Sequence, residues 1–315
     1  MTRTWGITQA IDLAEAHEQM AAMMAAPLPA VPSGERSRPA QVSAQIVYVR
    51  TVGAYREITL HAPGVTRGAQ PGQFVTLGVG GQSSALLLRR AFALSGVDGD
   101  AVNVVVAERG PGSRWILERP VGDVLNLIGP LGRPFPAAPP GGGALLVAGG
   151  YGAAPFVGLA QRLVAAGHPV AAVLGAATAE RLYAVQELAL LTQVLAVTTE
   201  DGSAGRTGRV TDVLADLLSG AAAVYACGPM PMLRAVAAQA AGSGLPCHVS
   251  VEEAMACGIG VCMTCVLPVV GDDGVSRLLR SCVDGPVFDG AKVRFDEIGR
   301  LPEDLYGATA MRATR

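Results

Sequence analysis

Residues 141–160 read GGGALLVAGGYGAAPFVGLA, twenty positions without a charge. That length suffices to span a bilayer as a helix. Seven glycines and Pro155 argue against one, because an interior glycine costs about 1 kcal/mol relative to alanine and a proline about 3. The stretch parses instead as a buried strand (ALLVAGG), a glycine turn, and a helix running through AAPFVGLAQRLVAAG. A turn of that kind presents backbone N–H groups and a helix N-terminus to a dinucleotide phosphate. It lacks the G-x-G-x-x-G fingerprint, so alone it supports that reading without deciding it.

Downstream the alternation continues. PVAAVLGA, QVLAVTTE and AAAVYACG read as further buried strands, with helical segments around 179–190, 207–219 and 230–242. A parallel-sheet α/β domain over 139–244 is expected, with ligand-binding turns at the strand C-termini. Upstream, from 41 to 138, the texture is different: QIVYVRTV, YREITLHA, QFVTLGV, RRAFALSG, AVNVVVAE and DVLNLIG are short, β-rich runs broken by Gly and Pro. Six strands at that spacing predict a small antiparallel barrel.

Beyond the α/β domain stands Cys257-Gly-Ile-Gly-Val-Cys262-Met-Thr-Cys265, with Cys282 after sixteen intervening residues. C-x4-C-x2-C…C is the spacing that holds a plant-type [2Fe–2S] cluster on four thiolates. Gly258 and Gly260 let the backbone curl around the inorganic sulfides with N–H groups turned inward. The alternative is a four-cysteine structural zinc site, which more often uses two C-x2-C pairs. A small C-terminal cluster lobe over 245–293 and a polar tail over 294–315 follow from this reading.

Half of the 315 residues are apolar and only 16% charged, so a sizeable core is easily formed. A net charge of −2 and 4% aromatics leave no basic footprint or stacking platform for nucleic acid. All six cysteines lie between 227 and 282, a clustering that fits a reducing cytoplasm better than a set of disulfide staples. No secretory signal is evident, and no membrane span is expected. Residues 1–40 read as an N-terminal helix (8–26) and a Pro-containing linker. Asp12, Glu15 and Glu18 speak against a transit peptide, and the Met-rich helix is either a peripheral extension or a partner-docking element.

Several shorter motifs bear on chemistry. Arg89-Arg90-Ala91-Phe92-Ala93 ends a strand, where a guanidinium can pair with a pyrophosphate beside a ring-covering aromatic. Glu108-Arg109-Gly110-Pro111-Gly112-Ser113 is a candidate anion nest. Gly149-Gly150-Tyr151-Gly152 is the glycine turn, and Cys227-Gly228-Pro229 again joins a strand to a helix. Taken singly, each also reads as an ordinary loop, and Cys227 as a buried core thiol.

Together, RRAFALS, GPLGRPF, VAGGYGAAP, TTEDGSAGRTG, ACGPMPML and VEEAMACGIGVCMTCV…CVDGPVF resemble the iron–sulfur, FAD-containing electron-transfer subunit of class 1B dihydroorotate dehydrogenase, in the ferredoxin–NADP reductase superfamily. The resemblance covers roughly 42–293. It implies an FAD-binding barrel, an NAD-binding α/β domain and a [2Fe–2S] lobe. It implies that Arg90 holds an FAD phosphate, Phe92 meets the flavin ring, and Gly110, Gly112 and Ser113 bound the phosphate turn. Ala91 and Ala93 stand where the family has Pro and Ser, so the flavin loses a hydroxyl contact. It further implies that Gly149, Gly150, Tyr151 and Gly152 receive NAD, that Cys227, Gly228 and Pro229 lie by the nicotinamide with Cys227 in the catalytic position, and that Cys257, Cys262, Cys265 and Cys282 are the cluster ligands.

The chemistry is coherent in one chain. A nicotinamide exchanges two electrons as hydride and the cluster exchanges one, so a flavin between them converts the two. No substrate-oxidising site is evident, so the resemblance implies an FMN-containing dihydroorotate dehydrogenase partner in pyrimidine biosynthesis. A related reductase subunit serving a hydrogenase or a ferredoxin:NAD(P) complex is the alternative, and a zinc-stabilised non-redox interaction protein is a remoter one. Asp201, with Glu200 and Glu180 beside Arg181, predicts a preference for NAD(H) over NADP(H), because acidic groups repel a 2′-phosphate.

Overall fold

The structure, a computed structural model, describes residues 38–81 and 84–306. The expected helix at 8–26 lies outside the described residues. Six strands, β1 (Ala40–Val52), β2 (Tyr55–His61), β3 (Phe74–Leu77), β4 (Arg90–Asp98), β5 (Ala101–Val106) and β6 (Val124–Leu131), close into a barrel of order β1-β2-β5-β4-β3-β6. All of its neighbouring pairs run antiparallel. Period-two alternation sends Ala44 and Ile46 of β1, Ile58 and Leu60 of β2, and Val102, Val104 and Val106 of β5 into one interior cluster. A single short helix, α1 (Pro111–Leu117), follows β5 and plugs the barrel with Ile116.

The uncharged run at 141–160 forms β7 (Ala144–Gly149), a single 3-10 turn (Gly150–Ala153) and the start of α2 (Phe156–Ala165). It is a buried strand and turn, and no helix among the described residues is long and apolar enough to cross a membrane. Each face of β7 meets a different core. Leu146 and Ala148 pack in the cluster that reaches the barrel, while Leu145 and Val147 pack in the cluster on the far side. Coverage on both faces explains why the strand is hydrophobic throughout.

The α/β unit continues through β8 (Val170–Ala176), α3 (Val185–Leu191), β9 (Val194–Thr199), the two-residue β10 (Arg206–Thr207), α4 (Thr211–Leu218), β11 (Ala223–Cys227), α5 (Met230–Gly242) and β12 (Cys247–Ser250). The sheet order is β10-β9-β8-β7-β11-β12-β15, with β15 (Val287–Asp289) an antiparallel edge. The sheet therefore extends past the expected boundary at 244. Cys247–Ser250 pairs in parallel with β11, and Val249 is fully buried, so this segment is a core strand that belongs to the α/β domain. The helix expected from 179 is also shorter, because Ala184 sits at φ 59 and separates a turn at Ala179–Arg181 from α3.

The C-terminal lobe holds one hairpin, β13 (Val266–Val270) with β14 (Ser276–Arg280). Leu267 and Val269 join the far core of the α/β domain, whereas Cys265 and Cys282 pack on Phe74 and Leu131 of the barrel. Phe135, at the end of GPLGRPF, is wedged between the domains with its ring 5.7 Å from Phe156 and 5.8 Å from Tyr225.

Candidate functional site

From β7 the chain proceeds to β8 on one side and returns through β11 on the other, so the C-terminal ends of β7 and β11 form the topological switch point where such sheets bind ligands. The two glycine turns meet there. A Cβ on Gly152 would stand 2.4 Å from the Cys227 carbonyl oxygen, and one on Gly149 would stand 2.8 Å from both Met232 Sδ and Pro229 Cδ. Only glycine permits that approach, which opens a cleft of about 700 Å3 over the strand ends. Gly149, Gly150, Tyr151 and Pro229 line it, as expected from the turns.

Arg181, Glu200 and Arg209 line the cleft. Arg209 Nε lies 3.4 Å from Glu200 Oε1. Asp201 does not line the cleft. Its Oδ1 accepts hydrogen bonds from the Ser203 amide and hydroxyl, which hold its carboxyl below the usual carboxylate range. Of the acidic residues expected here Glu200 lines the cleft, and Arg209 is a cation the sequence reading missed. The signal was present in GRTGRV, but the turn that brings Arg209 back to the end of β9 is a tertiary feature.

Arg109, also in the lining, donates to the Tyr151 hydroxyl at 2.9 Å, with its guanidinium 5.3 Å from the Tyr151 ring centroid. Tyr55 meets the same ring edge-on at 5.7 Å. Glu252, a cleft residue from the VEEAM segment, sits among them. Burial pushes its carboxyl up, and Arg109 and Tyr151 pull it part of the way back. Cys227 is buried behind this wall and does not line the cleft. Its thiol is pushed up to about 12 by burial and by Glu252.

The barrel supplies a second candidate surface. Arg90 opens β4 and its guanidinium lies against Gly112, where a Cβ would be 2.3 Å from Nε. The Ser113 hydroxyl accepts from the amides of Arg109 and Gly110, which sets the turn at the start of α1. Arg89 is committed elsewhere: it donates to Thr76 and Asn126 and so ties β3 to β6. Phe92 is half-buried against the barrel core, and Ala91 and Ala93 alternate onto the other face of β4. The Arg90 guanidinium, whose Nη1 donates to the Leu88 carbonyl at 2.5 Å, fits an FAD pyrophosphate together with the glycine turn, and the half-exposed ring fits its flavin.

The four lobe cysteines are brought together as two pairs. Cys257 and Cys262 lie within hydrogen-bonding reach of one another, as do Cys265 and Cys282. Gly258 (φ 72) and Gly260 (φ 84) take left-handed conformations, and the curled backbone turns the amides of Ile259, Val261 and Cys262 onto Cys257 Sγ at 3.4–3.5 Å. Hydrogen bonds from Thr264 pull Cys262 down to about 6, while burial pushes Cys282 up to about 12. A two-iron cluster divides its thiolates two to each iron, and the paired arrangement fits that donor set.

A closed antiparallel barrel, a switch-point dinucleotide cleft and a four-cysteine lobe define the class: a flavin reductase of the ferredoxin-reductase type with an iron–sulfur appendage. Comparison narrows it. A family model for the iron–sulfur cluster binding domain of dihydroorotate dehydrogenase B matches residues 252–294, and one for the oxidoreductase NAD-binding domain matches 146–238. The chain is 38% identical over 263 residues to the dihydroorotate dehydrogenase B (NAD+) electron transfer subunit of Geobacillus thermodenitrificans, covering 82% of this chain and 98% of that one. It is 39% identical to the probable counterpart from Methanopyrus kandleri, over 76% and 86% of the two chains. Among solved structures, a chain of the NADH-dependent reduced ferredoxin–NADP oxidoreductase superposes with a TM-score of 0.73 at 29% identity, covering 87% of this chain and 98% of that one. The FAD/NAD-binding domain of a Vibrio cholerae nitric oxide dioxygenase shares the fold at a TM-score of 0.59 and 22% identity, over 67% and 98% of the two chains. The chain belongs to the family of electron transfer subunits of dihydroorotate dehydrogenase B.

Proposed function

We propose that this chain relays electrons between NAD(H) and the FMN-containing catalytic subunit of a dihydroorotate dehydrogenase, and that it works in the cytoplasm. FAD, when bound, exchanges hydride with nicotinamide and single electrons with the [2Fe–2S] cluster. Arg90, Gly110, Gly112 and Ser113 hold the FAD pyrophosphate, with Phe92 beside the ring. The turns at Gly149–Gly152 and Gly228–Pro229 hold the dinucleotide, and Glu200 with Arg209 faces its adenosine end. Tyr151, Arg109 and Glu252 wall the nicotinamide end against water. Cys257, Cys262, Cys265 and Cys282 hold the cluster.

The observation that carries this reading is the docking of the lobe on the barrel. Cys265 and Cys282 pack on Phe74 of β3, and β3 pairs with β4, the strand of Arg90 to Ala93. The one-electron centre is thereby adjacent to the flavin strand. On its outer side Ile259, Val261 and Met263 are exposed, an apolar rim suited to a partner protein. The test is reconstitution with the catalytic subunit: dihydroorotate-dependent reduction of NAD+ should require both chains. No gain over the catalytic subunit alone would refute the assignment. A related role with ferredoxin is suggested by the 0.73 superposition, and replacing the catalytic subunit by ferredoxin in the same assay separates the two.

A further inference from the structure

The barrel reaches into the nucleotide cleft through the turn between β1 and β2. Gly53 sits at φ 55, and a Cβ there would stand 2.1 Å from the Glu180 carbonyl oxygen. The Ala54 amide donates to that same oxygen at 2.7 Å, and the Tyr55 hydroxyl donates to the next carbonyl, Arg181 O, at 2.8 Å. The turn at Ala179–Arg181 is therefore held by another domain through its own backbone. Ala54, Tyr55 and Arg181 all line the cleft.

Below this contact lies a polar cluster that nothing in the electron relay uses. Glu57 shares the face of β2 with Tyr55 and is only 8% exposed. It accepts hydrogen bonds from Tyr183 and, at 3.1 Å, from Arg50. Arg50 also donates to Glu187 of α3 at 3.0 Å. Two barrel residues and two α/β residues are thus hydrogen-bonded across the domain boundary. Neighbouring positions at the same boundary, Val52 and Val105, are apolar and serve for adhesion. A buried carboxylate is costly without partners and holds its partners to one geometry. Each domain has a core of its own, so loss of the cluster leaves both folded and frees their mutual position.

We propose that Glu57 and Tyr183 are positioning residues for the dinucleotide. They lock the β1–β2 turn against Glu180 and Arg181, and so fix the cleft wall that grips NAD(H). The proposal rests on the reading that this cleft holds the dinucleotide.

The experiment uses the full chain loaded with FAD and cluster, with NADH as donor and ferricyanide as acceptor. Glu57→Gln and Tyr183→Phe should each raise KM for NADH about tenfold, the scale of a lost buried hydrogen bond. Their kcat should stay within about twofold, with unchanged flavin and iron content, because the locked wall contributes binding and not chemistry. The double variant should cost no more than either single one, since both remove one contact. Tyr55→Phe, which deletes one hydroxyl, should raise KM in the same direction should the buried variants prove unstable. Val105→Ala is the structural control and should lower Tm with KM unchanged. If Glu57→Gln and Tyr183→Phe lower Tm as Val105→Ala does while KM stays within twofold, the proposal is overturned. Failure of the unaltered chain to bind NADH saturably would instead overturn the reading of the cleft.

Discussion

The Arg90 guanidinium lies across the backbone of Gly112, so that a methyl group on Gly112 would stand 2.3 Å from Nε. Strand β4 and the turn before α1 are far apart in sequence, yet this contact makes them one phosphate-sized ledge. Arg90→Ala should weaken FAD retention by about 1.5–3 kcal/mol, the worth of a hydrogen bond to a charged group. Gly112→Ala should act in the same direction by displacing the guanidinium. Flavin fluorescence after gel filtration reads both, and retention equal to the unaltered chain would remove Arg90 from the phosphate site.

The paired cysteines make a sharper prediction. Single Cys→Ala changes at 257, 262, 265 or 282 should abolish the paramagnetic signal of the reduced protein and bleach its colour. Cys247→Ala should leave both intact, because Cys247 lies in β12 within the α/β core. A full iron and sulfide complement in any of the first four variants would show that ligand to be misassigned.

Nucleotide choice turns on Glu200. Its carboxylate engages Arg209 at 3.4 Å and repels a 2′-phosphate, so kcat/KM should favour NADH over NADPH. Glu200→Gln should free Arg209 for the phosphate and reduce that ratio by roughly tenfold, the effect of about one charge-assisted contact. A ratio already near one in the unaltered chain would count against the acidic wall. Asp201→Asn, by contrast, should change it little, because Ser203 occupies that carboxylate.

Glu252 sets a pH dependence whose sign is fixed by its environment. Burial raises its folded-state pKa above the ordinary 4.5, so the folded chain binds its proton more tightly than the unfolded chain does. The ionised form therefore costs stability, fully above the raised pKa, and that cost disappears as pH falls below the unfolded value. Glu252→Gln should accordingly raise Tm at pH 8 and lose that advantage near pH 4. Thermal melts across that range check it; an advantage that grows in acid would mean that Arg109 outweighs burial.

Much of this was legible in the sequence because it depends on local pattern. Six short β-rich runs broken by Gly and Pro pointed to the barrel, and an uncharged run interrupted by glycines to strand, turn and helix. The C-x4-C-x2-C spacing groups three thiols before any fold is known, since a loop that short can wrap only a small group, and Cys282 supplies the fourth from a separate segment. Gly149 to Gly152 and Gly228 were likewise legible as turns by their place between strand and helix.

What only the tertiary structure decided concerns direction and distant pairing. Glu200 and Asp201 are neighbours of like chemistry, and the turn after β9 alone sends one into the cleft and the other onto Ser203. Arg209 reaches the site because the chain doubles back, and Cys247–Ser250 became a sheet strand because β11 offered an edge to pair with. Glu57 breaks the apolar pattern of its surroundings for partners on both sides of a domain boundary, one of them 126 residues away. Periodicity reports which face of an element is buried. Which residues from other elements meet that face depends on contacts between segments far apart in the chain, and these exist only once the domains have packed.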